Sequence, residues 1–474
     1  MQAISFRQLA SNFSYLTAGE ATSKLFTFAA FSMLARVLGP GNFGYLEFTL
    51  AIMVFFTLLV DFGSSPYGAR EVAKDPTRIA ELSTTVVALR TIFALAGYLL
   101  LILGVFFLPQ EQAPAKRLIF LYGLTLFAIP GFLQWIFQGL DRMKWVALGS
   151  VIRQSIFVTG VFLLIHRADQ LFVVPWIEFA AVTGFVAFNL AVFRSKVGSF
   201  SPSIDLKAMK TSARQAMPIG LSELLWAVIW YSGTVFLGLL IGGKAVGLFG
   251  SAHRVIIALH SFVWLYFYNL LPSISRSASG PKETLERLMR TSMMTTSWVA
   301  AFLVTGGTIL AEPLVIAVYG PQYREAATYF KILIWVIAVI LISHHYSYTL
   351  IGFNLQRLHF LSCACAMVTS LLISILLIPR VGATGVAIAI LSAWLVNFAL
   401  AYFFVRKNIF DIPFLRHLIR PAAAACITTL GFILLSPLSP LLACAVVIIL
   451  FGIALMILQP GLLLHIRSVR SKEE

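Results

Sequence analysis

Apolar stretches of about 20 residues recur along the whole chain, separated by short segments that carry most of the charges, glycines and prolines. A helix of this length spans the roughly 30 Å hydrocarbon core of a bilayer, because each residue advances about 1.5 Å. Charged residues make up only 11% of the 474 residues and the mean hydropathy is +0.90, which excludes a soluble globular fold. The sequence therefore predicts an all-α, multi-pass integral membrane protein.

We predict about fourteen transmembrane helices from these stretches and from the residues that interrupt them. Six helices precede a basic linker, and eight follow it. The predicted spans are residues 13–37, 43–64, 84–108, 117–140, 146–165, 171–193, 215–241, 253–273, 292–318, 328–352, 358–378, 383–405, 419–436 and 441–458.

Lysine and arginine residues are distributed unevenly between the two sides of the membrane that these spans define. Most lie on the side of the amino terminus, including Arg467, Arg470 and Lys472 of the tail. Because cytoplasmic loops are enriched in Lys and Arg, both termini are predicted to be cytoplasmic. The formal net charge of +16 therefore reflects topology, and we expect no nucleic-acid partner because the basic residues form no dense patch.

An internal repeat relates the two groups of helices. The segments Gly39–Tyr45 (GPGNFGY) and Gly242–Leu248 (GGKAVGL) each follow an apolar stretch and lie 203 residues apart, and Glu20 and Glu223 share this spacing. Transporters are often built from two related bundles around a cavity. The glycines expected to form structural turns in these segments are Gly39, Gly44, Gly242 and Gly247.

The repeat and the basic linker predict two pseudo-symmetric six-helix lobes around a central cavity, followed by a helix pair without a counterpart. The predicted divisions are 1–193 for the first lobe, 194–214 for a cytoplasmic linker, 215–405 for the second lobe, and 406–474 for the helix pair and a cytoplasmic tail. The connecting segments are too short to hold a folded catalytic domain. This organisation is typical of a transporter and not of an enzyme.

Several motifs occur in an order that is similar to a known family. They are Ala35–Tyr45 (ARVLGPGNFGY), Asp61–Gly63 (DFG), Ala69–Ala73 (AREVA), Gln138–Gly139 (QG) and Pro379–Ala387 (PRVGATGVA). With these motifs the chain resembles polysaccharide-biosynthesis flippases of the Wzx type over essentially its whole length. The likeness is weakest in the closing helix pair.

The resemblance implies the fold of the multidrug/oligosaccharidyl-lipid/polysaccharide exporter superfamily, in which two lobes open a cavity alternately to each side. It also implies a cargo, a polyprenyl-pyrophosphate-linked oligosaccharide moved from the cytoplasmic to the periplasmic leaflet for O-antigen, capsule or exopolysaccharide synthesis. The expected location is the bacterial inner membrane. A polysaccharide polymerase and a chain-length regulator are the expected protein partners, and no cofactor or metal is expected.

Cations inside predicted spans are the candidates for binding the pyrophosphate headgroup, because a charged side chain in a bilayer is costly unless it faces a polar interior. For Lys24 the alternative is a structural ion pair with Glu20, one helical turn earlier. The others lie near predicted helix ends, where long side chains can also reach the lipid headgroups. The candidates are Lys24, Arg90, Arg153, Arg254 and Lys331.

Carboxylates inside the spans are candidates for binding a coupling proton or sodium ion, and those selected are Glu20, Glu178 and Glu223. Asp61 and Glu312 lie near helix ends and are interpreted as capping or interfacial residues. The adjacent His344 and His345 point about 100° apart on a helix, which favours polar packing over a metal site.

Three other functions stay open at this point. A multidrug or cation antiporter shares the two-lobe architecture, but the cations within the spans suit an anionic headgroup better. A lipid II flippase carries a cargo with the same polyprenyl pyrophosphate and is not excluded by the sequence. The alternative of a different class is a membrane polysaccharide polymerase, which the short predicted periplasmic loops disfavour.

Overall fold

The computed structural model describes residues 6–201, 205–278, 280–409, 411, 413–435 and 439–459. Within those ranges the chain is helical and contains no β-strand, which confirms the predicted all-α membrane class. The basic tail residues Arg467, Arg470 and Lys472 lie outside the described residues, as does the 202–204 segment of the predicted linker.

The described ranges contain sixteen α-helices, some of them joined by short 3-10 segments. In chain order the helices are α1 (Phe6–Asp61), α2 (Ser64–Lys74), α3 (Ile79–Phe106), α4 (Ala113–Gly123), α5 (Gln134–Gly139), α6 (Met143–Leu164), α7 (Val174–Lys196), α8 (Leu206–Leu240), α9 (Gly243–Ala278), α10 (Lys282–Ile309), α11 (Ala311–Tyr319), α12 (Ala326–Gly352), α13 (Gln356–Val381), α14 (Ala383–Asn408), α15 (Leu415–Leu435) and α16 (Pro440–Leu458). The 3-10 segments are Pro76–Arg78, Gln110–Gln112, Leu124–Gly131, Ala168–Val173 and Pro321–Tyr323.

The number of membrane crossings agrees with the prediction of about fourteen. Among the described residues, eleven helical segments are long and apolar enough to span a bilayer, and the bent pair α10 and α11 makes a twelfth. One of the eleven, Thr17–Lys74, has 58 residues, so its arms together contain about 87 Å of helix, enough for two crossings. The shorter apolar helix Leu442–Leu458 completes the set.

The first two predicted spans form two helical arms of α1 that meet at a sharp kink, at the position of the predicted glycine-bounded turn. Gly39 has a left-handed φ of 71° inside α1, and Pro40 follows it. Glycine adopts this conformation without a Cβ clash, and proline fits the first position of the new helical arm because its missing N–H has no partner there. The chain thus turns without an intervening loop.

Two other predicted spans are broken. The predicted helix 117–140 is divided into α4, the 3-10 segment Leu124–Gly131, and α5. Pro130 lies inside the 3-10 segment and cannot donate a backbone hydrogen bond, which explains why an α-helix does not continue there. The predicted helix 292–318 is divided into α10 and α11, which are bent by 73°. Pro313, in the first turn of α11, removes the N–H that would have continued α10.

The chain divides into two compact units, Met1–Gly250 and Ser251–Glu474. In the first unit, α8 packs against α1, α2 and α3, which explains why it groups with the helices that precede it. Tyr67 Oη lies 3.4 Å from Ser212 Oγ in this packing, and Gln112 Nε2 donates to the carbonyl oxygen of Gly238 at 2.8 Å. The two compact units divide after Gly250 and not at the predicted linker, so the predicted lobe boundary at residues 194–214 stays a prediction.

Each unit has its own apolar core. In the first unit a buried cluster around Trp135 and Phe193 joins α2, α3, α5, α6 and α7. In the second unit a buried cluster around Met289, Tyr346 and Ala401 joins α9, α10, α12 and α14. A smaller cluster, described below, joins α10 to the helix pair α15 and α16.

The two repeat segments pack against each other within the first unit. A Cβ atom added at Gly44 would lie 1.7 Å from the carbonyl oxygen of Gly243, and one added at Gly247 would lie 1.9 Å from that of Pro40. Gly44 and Gly247 are equivalent at the repeat spacing, and so are Pro40 and Gly243. The two contacts are therefore reciprocal, as expected across a pseudo-two-fold axis.

The four glycines predicted as turn residues have two different roles. Gly39 and Gly242 have φ values of 71° and 112°, and the chain turns at both. Gly44 and Gly247 lie inside α1 and α9 and have no positive φ. Their lack of a side chain permits the close approach of two helices, which is a packing role and not a turn.

The connection between α2 and α3 is closed by local hydrogen bonds. Asp75 follows α2, and its carboxylate accepts hydrogen bonds from the Thr77 hydroxyl at 2.6 Å and the Thr77 backbone N–H at 3.0 Å. These bonds, the hydroxyl first, hold the pKa of the exposed Asp75 carboxyl below its ordinary value. The 3-10 segment Pro76–Arg78 is thereby capped at its start.

Candidate functional site

The break between α1 and α2 forms the base of the candidate site in the first unit. Phe62 and Gly63 have φ values of 48° and 73°, so the helix ends at Asp61 and begins again at Ser64. A Cβ atom added at Gly63 would lie 2.5 Å from the backbone nitrogen of Gly220 in α8. The backbones of the break and of α8 are therefore in direct contact.

Arg90 of α3 is fully buried at this break. Its guanidinium forms an ion pair with Asp61 and donates to Ser64 Oγ at 2.8 Å and Ser65 Oγ at 2.6 Å. It also donates to the carbonyl oxygen of Phe132 at 2.9 Å. Its side chain is 0% exposed, and these four partners engage all three of its guanidinium nitrogens.

Asp61 completes this network from the end of α1. Its carboxylate accepts hydrogen bonds from the Ser65 hydroxyl at 2.8 Å and the Ser65 backbone N–H at 3.3 Å. These bonds place the Asp61 carboxylate at the first turn of α2, whose N-cap residue is Gly63, and the interpretation of Asp61 as a capping or interfacial residue stays a prediction. The sequence did not indicate that Asp61 pairs with Arg90. Through this pair and its other hydrogen bonds, Arg90 of α3 is connected to α1, to α2 and to the break after the 3-10 segment Leu124–Gly131.

A second ion pair lies in the same unit, between Arg153 of α6 and Glu178 of α7. The Arg153 side chain is 33% exposed and that of Glu178 is 17% exposed. Arg153 also lies over the Phe132 ring at 5.8 Å, and its Nε has no hydrogen-bond partner among the described residues. Arg153 is therefore partly accessible from outside the protein, whereas the Arg90 side chain is not.

Phe132 contacts both ion pairs through different atoms. Its carbonyl oxygen accepts from Arg90, and its ring lies below Arg153 and against Phe185 at 5.0 Å. It lies just after the 3-10 segment that breaks the fourth predicted span. The sequence analysis did not select Phe132, although Pro130 and Gly131 were a visible signal that the backbone there is not helical.

Lys24 is partly exposed on α1 and forms no ion pair with Glu20 or with any other described side chain. It lies fifteen residues before the Gly39 kink, so it is about 22 Å along the helix from that kink, inside the depth of a bilayer. α1 and α6 run side by side, with Gly19 against Ala147 and Phe31 against Phe157. This pairing places Lys24 at about the height of Arg153.

Glu223 lies on α8, one turn beyond the contact of Gly220 with Gly63, and is partly buried. The carboxylates of Glu223 and Asp61 interact electrostatically. Glu223 forms no ion pair with a described residue, in contrast to Glu178, which is held by Arg153. The first unit thus brings together Arg90, Arg153, Glu178 and Glu223 of the predicted site residues.

The remaining predicted cations belong to the second unit. Arg254 is partly buried on α9 and Lys331 is exposed near the start of α12. His344 and His345 are buried on α12, where the His345 Nε2 lies 2.8 Å from Ser292 Oγ and the His344 ring contacts Trp394 at 5.7 Å. The described residues contain no group of three or more His, Cys, Asp or Glu side chains arranged to hold a metal ion. These contacts agree with polar packing of the two histidines.

Known structures of membrane transporters share this fold. One is the lipid II flippase MurJ in an inward closed conformation, with a TM-score of 0.77 and 14% identity over 94% of this chain and 99% of that one. Another is a multidrug resistance MATE family transporter of the MOP superfamily in an inward-facing conformation, with a TM-score of 0.62 and 13% identity over 82% and 96% of the two chains.

Sequence comparison gives the family within that class. The sequence model of the family described as polysaccharide biosynthesis protein matches residues 9–278, more than half of the chain. The chain therefore belongs to the polysaccharide biosynthesis protein family. A putative O-antigen transporter of Escherichia coli K12 is 22% identical over 412 residues, which cover 84% of this chain and 97% of that protein. The predicted superfamily and the prediction of a transporter and not an enzyme are confirmed.

Proposed function

We propose that this protein moves polyprenyl-pyrophosphate-linked oligosaccharides from the cytoplasmic to the periplasmic leaflet by alternating access. The observation that carries this proposal is Arg153, a cation inside a spanning helix whose side chain is 33% exposed. Glu178 offsets the cost of burying this charge, and the exposed part of the guanidinium leaves room for a second anion. A pyrophosphate supplies several acceptor oxygens that suit the planar guanidinium.

The names of the relatives support this class of cargo. The Escherichia coli relative is described as a putative O-antigen transporter, and so is a relative from Shigella dysenteriae that is 21% identical over 67% of this chain. We propose that the headgroup binds Arg153 and Lys24 of the first unit, and Arg254 and Lys331 of the second unit stay candidates for contact with it. Arg90 contributes by fixing the α1/α2 break, since its donors are already occupied.

The location and partners follow from the same proposal. The charge distribution of the connecting segments supports an orientation with both termini in the cytoplasm of a bacterium, and the inner membrane is then the site of transport. A polysaccharide polymerase and a chain-length regulator would receive the exported units there.

The decisive assay is reconstitution of the purified protein into liposomes with a fluorescent polyprenyl-pyrophosphate oligosaccharide. Movement between leaflets is measured by the fraction of label that a membrane-impermeant quencher reaches over time. Lipid II and a cationic dye are tested in parallel, because they are the cargoes of the two alternative functions. Movement of lipid II alone would identify a lipid II flippase, and efflux of the dye alone would identify a cation antiporter.

Removal of the Lys24 charge is expected to abolish flipping. In Lys24→Ala the initial rate should fall at least tenfold, because a charge-assisted contact of about 1.5–3 kcal/mol to the headgroup is lost. Lys24→Arg should keep part of the rate. Lys210→Ala, which removes an exposed lysine from α8 of the same unit, is the matched control. Full activity of Lys24→Ala at normal membrane abundance would exclude Lys24 from the site.

Coupling to an ion gradient is expected to depend on Glu223. It is the partly buried carboxylate beside Asp61 without an ion pair among the described residues, whereas Arg153 holds Glu178. In Glu223→Gln the stimulation of flipping by a proton or sodium gradient should disappear, while gradient-independent exchange remains. Glu20→Gln is the comparison, since Glu20 is the other carboxylate selected from the sequence that forms no ion pair with a described residue. Stimulation that survives in Glu223→Gln and disappears in Glu20→Gln would move the coupling site to α1.

A further inference from the structure

A cationic cavity of about 330 Å³ lies in the second unit, between the beginnings of α10 and α15 and the end of α16. It lies outside every site residue selected from the sequence. Its walls come from the helix pair that follows the repeat and from α10, against which that pair packs. The proposed transport function gives no role to the helix pair α15 and α16. The residues that line this cavity indicate what the pair could bind.

The α10 wall changes from charged to apolar along one face of the helix. Glu286, Arg290, Met294 and Trp298 all line the cavity and are spaced four residues apart, so they lie one above the other. Arg290 is exposed and Trp298 is buried. The mouth of the cavity is thus polar and its inner end is apolar.

The α15 wall repeats this gradient. Arg416, His417 and Arg420 line the mouth, and Pro421 follows. One turn further, Ala424 is buried in an apolar cluster with Trp298 of α10 and Phe451 of α16. Two facing helices therefore present cations at one end and hydrocarbon at the other, which matches an amphiphile that lies along them.

Within the described ranges, no carboxylate forms an ion pair with the arginines at the mouth of the cavity. Arg290, Arg416 and Arg420 form no ion pair with a described residue, and Glu286 is the one carboxylate that lines the cavity. Arg420 is held by a hydrogen bond to Gln459 Oε1 at 3.1 Å, and the Gln459 amide in turn contacts Met294 Sδ at 2.9 Å. The guanidinium is therefore positioned without being paired.

The geometry points to a binding site for the phosphate headgroup of an anionic membrane phospholipid. One guanidinium group can donate two parallel hydrogen bonds to two oxygens of a phosphate. Basic pockets between spanning helices at the cytoplasmic face are suited to anionic lipid headgroups. The predicted orientation places the starts of α10 and α15 on that face. Three arginines favour a lipid with two phosphates, cardiolipin, over one with a single phosphate, phosphatidylglycerol.

The test measures lipid binding to the purified full-length protein by native mass spectrometry and by the shift in its thermal midpoint. The probes are cardiolipin, phosphatidylglycerol and phosphatidylcholine, with inorganic phosphate and undecaprenyl phosphate as separate arms. We expect cardiolipin to bind tightest, phosphatidylcholine to show no specific binding, and each arginine neutralised in Arg290→Gln, Arg416→Gln or Arg420→Gln to weaken cardiolipin binding about fivefold. Arg357→Gln, which removes an exposed arginine outside the cavity, should bind cardiolipin normally.

Three outcomes would overturn the proposal. Equal loss in Arg357→Gln would show a non-specific effect of net charge. A response to inorganic phosphate as large as that to cardiolipin would show a free-anion site. Preference for undecaprenyl phosphate over cardiolipin would assign the cavity to the transported lipid. Because binding is measured without transport, these results are independent of whether the flipping assay succeeds.

Discussion

Gly44→Ala is expected to destabilise the protein by about 3 kcal/mol and to lower its thermal midpoint by about 3 °C, whereas Gly41→Ala, three residues away, should leave it unchanged or slightly more stable. The reason for the first effect is the 1.7 Å distance between an added Cβ atom and the carbonyl oxygen of Gly243. Backbone atoms cannot move out of the way as a side chain can. α1 and the start of α9 would have to separate.

Gly41 is a close control for Gly44 because it lies on the same helical arm but has free space where an added Cβ atom would lie. No atom lies within 4 Å of a Cβ added there, and its φ is not positive. Alanine is the better helix former by about 0.8–1 kcal/mol, so Gly41→Ala tests the effect of the methyl group without the clash. The measurement is thermal unfolding of both variants in the same detergent, followed by size-exclusion chromatography.

The reciprocal position gives an independent check. Gly247→Ala should be destabilised to a similar extent, because its added Cβ atom would lie 1.9 Å from the Pro40 carbonyl oxygen. The double variant should lose less than the sum of the two, since one separation of the helices relieves both clashes. Equal midpoints for Gly41→Ala and Gly44→Ala would contradict the close crossing of the two repeat segments.

The close contact of the two repeat segments shows which features of the fold can be predicted from the sequence. The spacing of 203 residues identified both segments, and the left-handed glycines Gly39 and Gly242 were predicted as turns. The role of Gly44 and Gly247 was not visible, because a sequence shows that a residue is small without showing which backbone approaches it. Contacts between residues so far apart in the chain depend on the packing of whole helices.

The same limit applies to the charged residues. Hydropathy was sufficient to find Arg90 and Arg153 inside spans, and it assigned them the same role. The structure separates them: Arg90 is 0% exposed and surrounded by acceptors, while Arg153 is 33% exposed with an unpaired nitrogen. The broken fourth span was also predictable in part, since Pro130 marked it, but the pairing of the freed Phe132 carbonyl with Arg90 required the fold.

Arg90→Met is expected to have the second large effect, a loss of about 3–5 kcal/mol in stability and of most of the folded protein in the membrane. Methionine fills much of the arginine volume, so the effect comes from the partners that remain. Asp61 would be left as a largely buried carboxylate without its cation, and the Phe132 carbonyl oxygen would lose its donor. Arg90→Lys should also be unstable, because one ammonium cannot reach all four acceptors in the fixed geometry of the guanidinium.

The double variant Asp61→Asn, Arg90→Met separates an anchoring role from a role in binding cargo. Asparagine keeps an acceptor for the Ser65 N–H but removes the uncompensated charge, so about half or more of the lost stability should return. If Arg90 only anchors the α1/α2 break, the folded double variant flips the oligosaccharide lipid in proportion to its abundance. If the double variant folds but does not flip the lipid, Arg90 contacts the cargo at some stage of the cycle, as the sequence alone suggested.

Arg153→Met is the reference for a variant that folds but does not flip the lipid. The Arg153–Glu178 ion pair is more exposed than that of Arg90, so the protein should remain folded while flipping is lost.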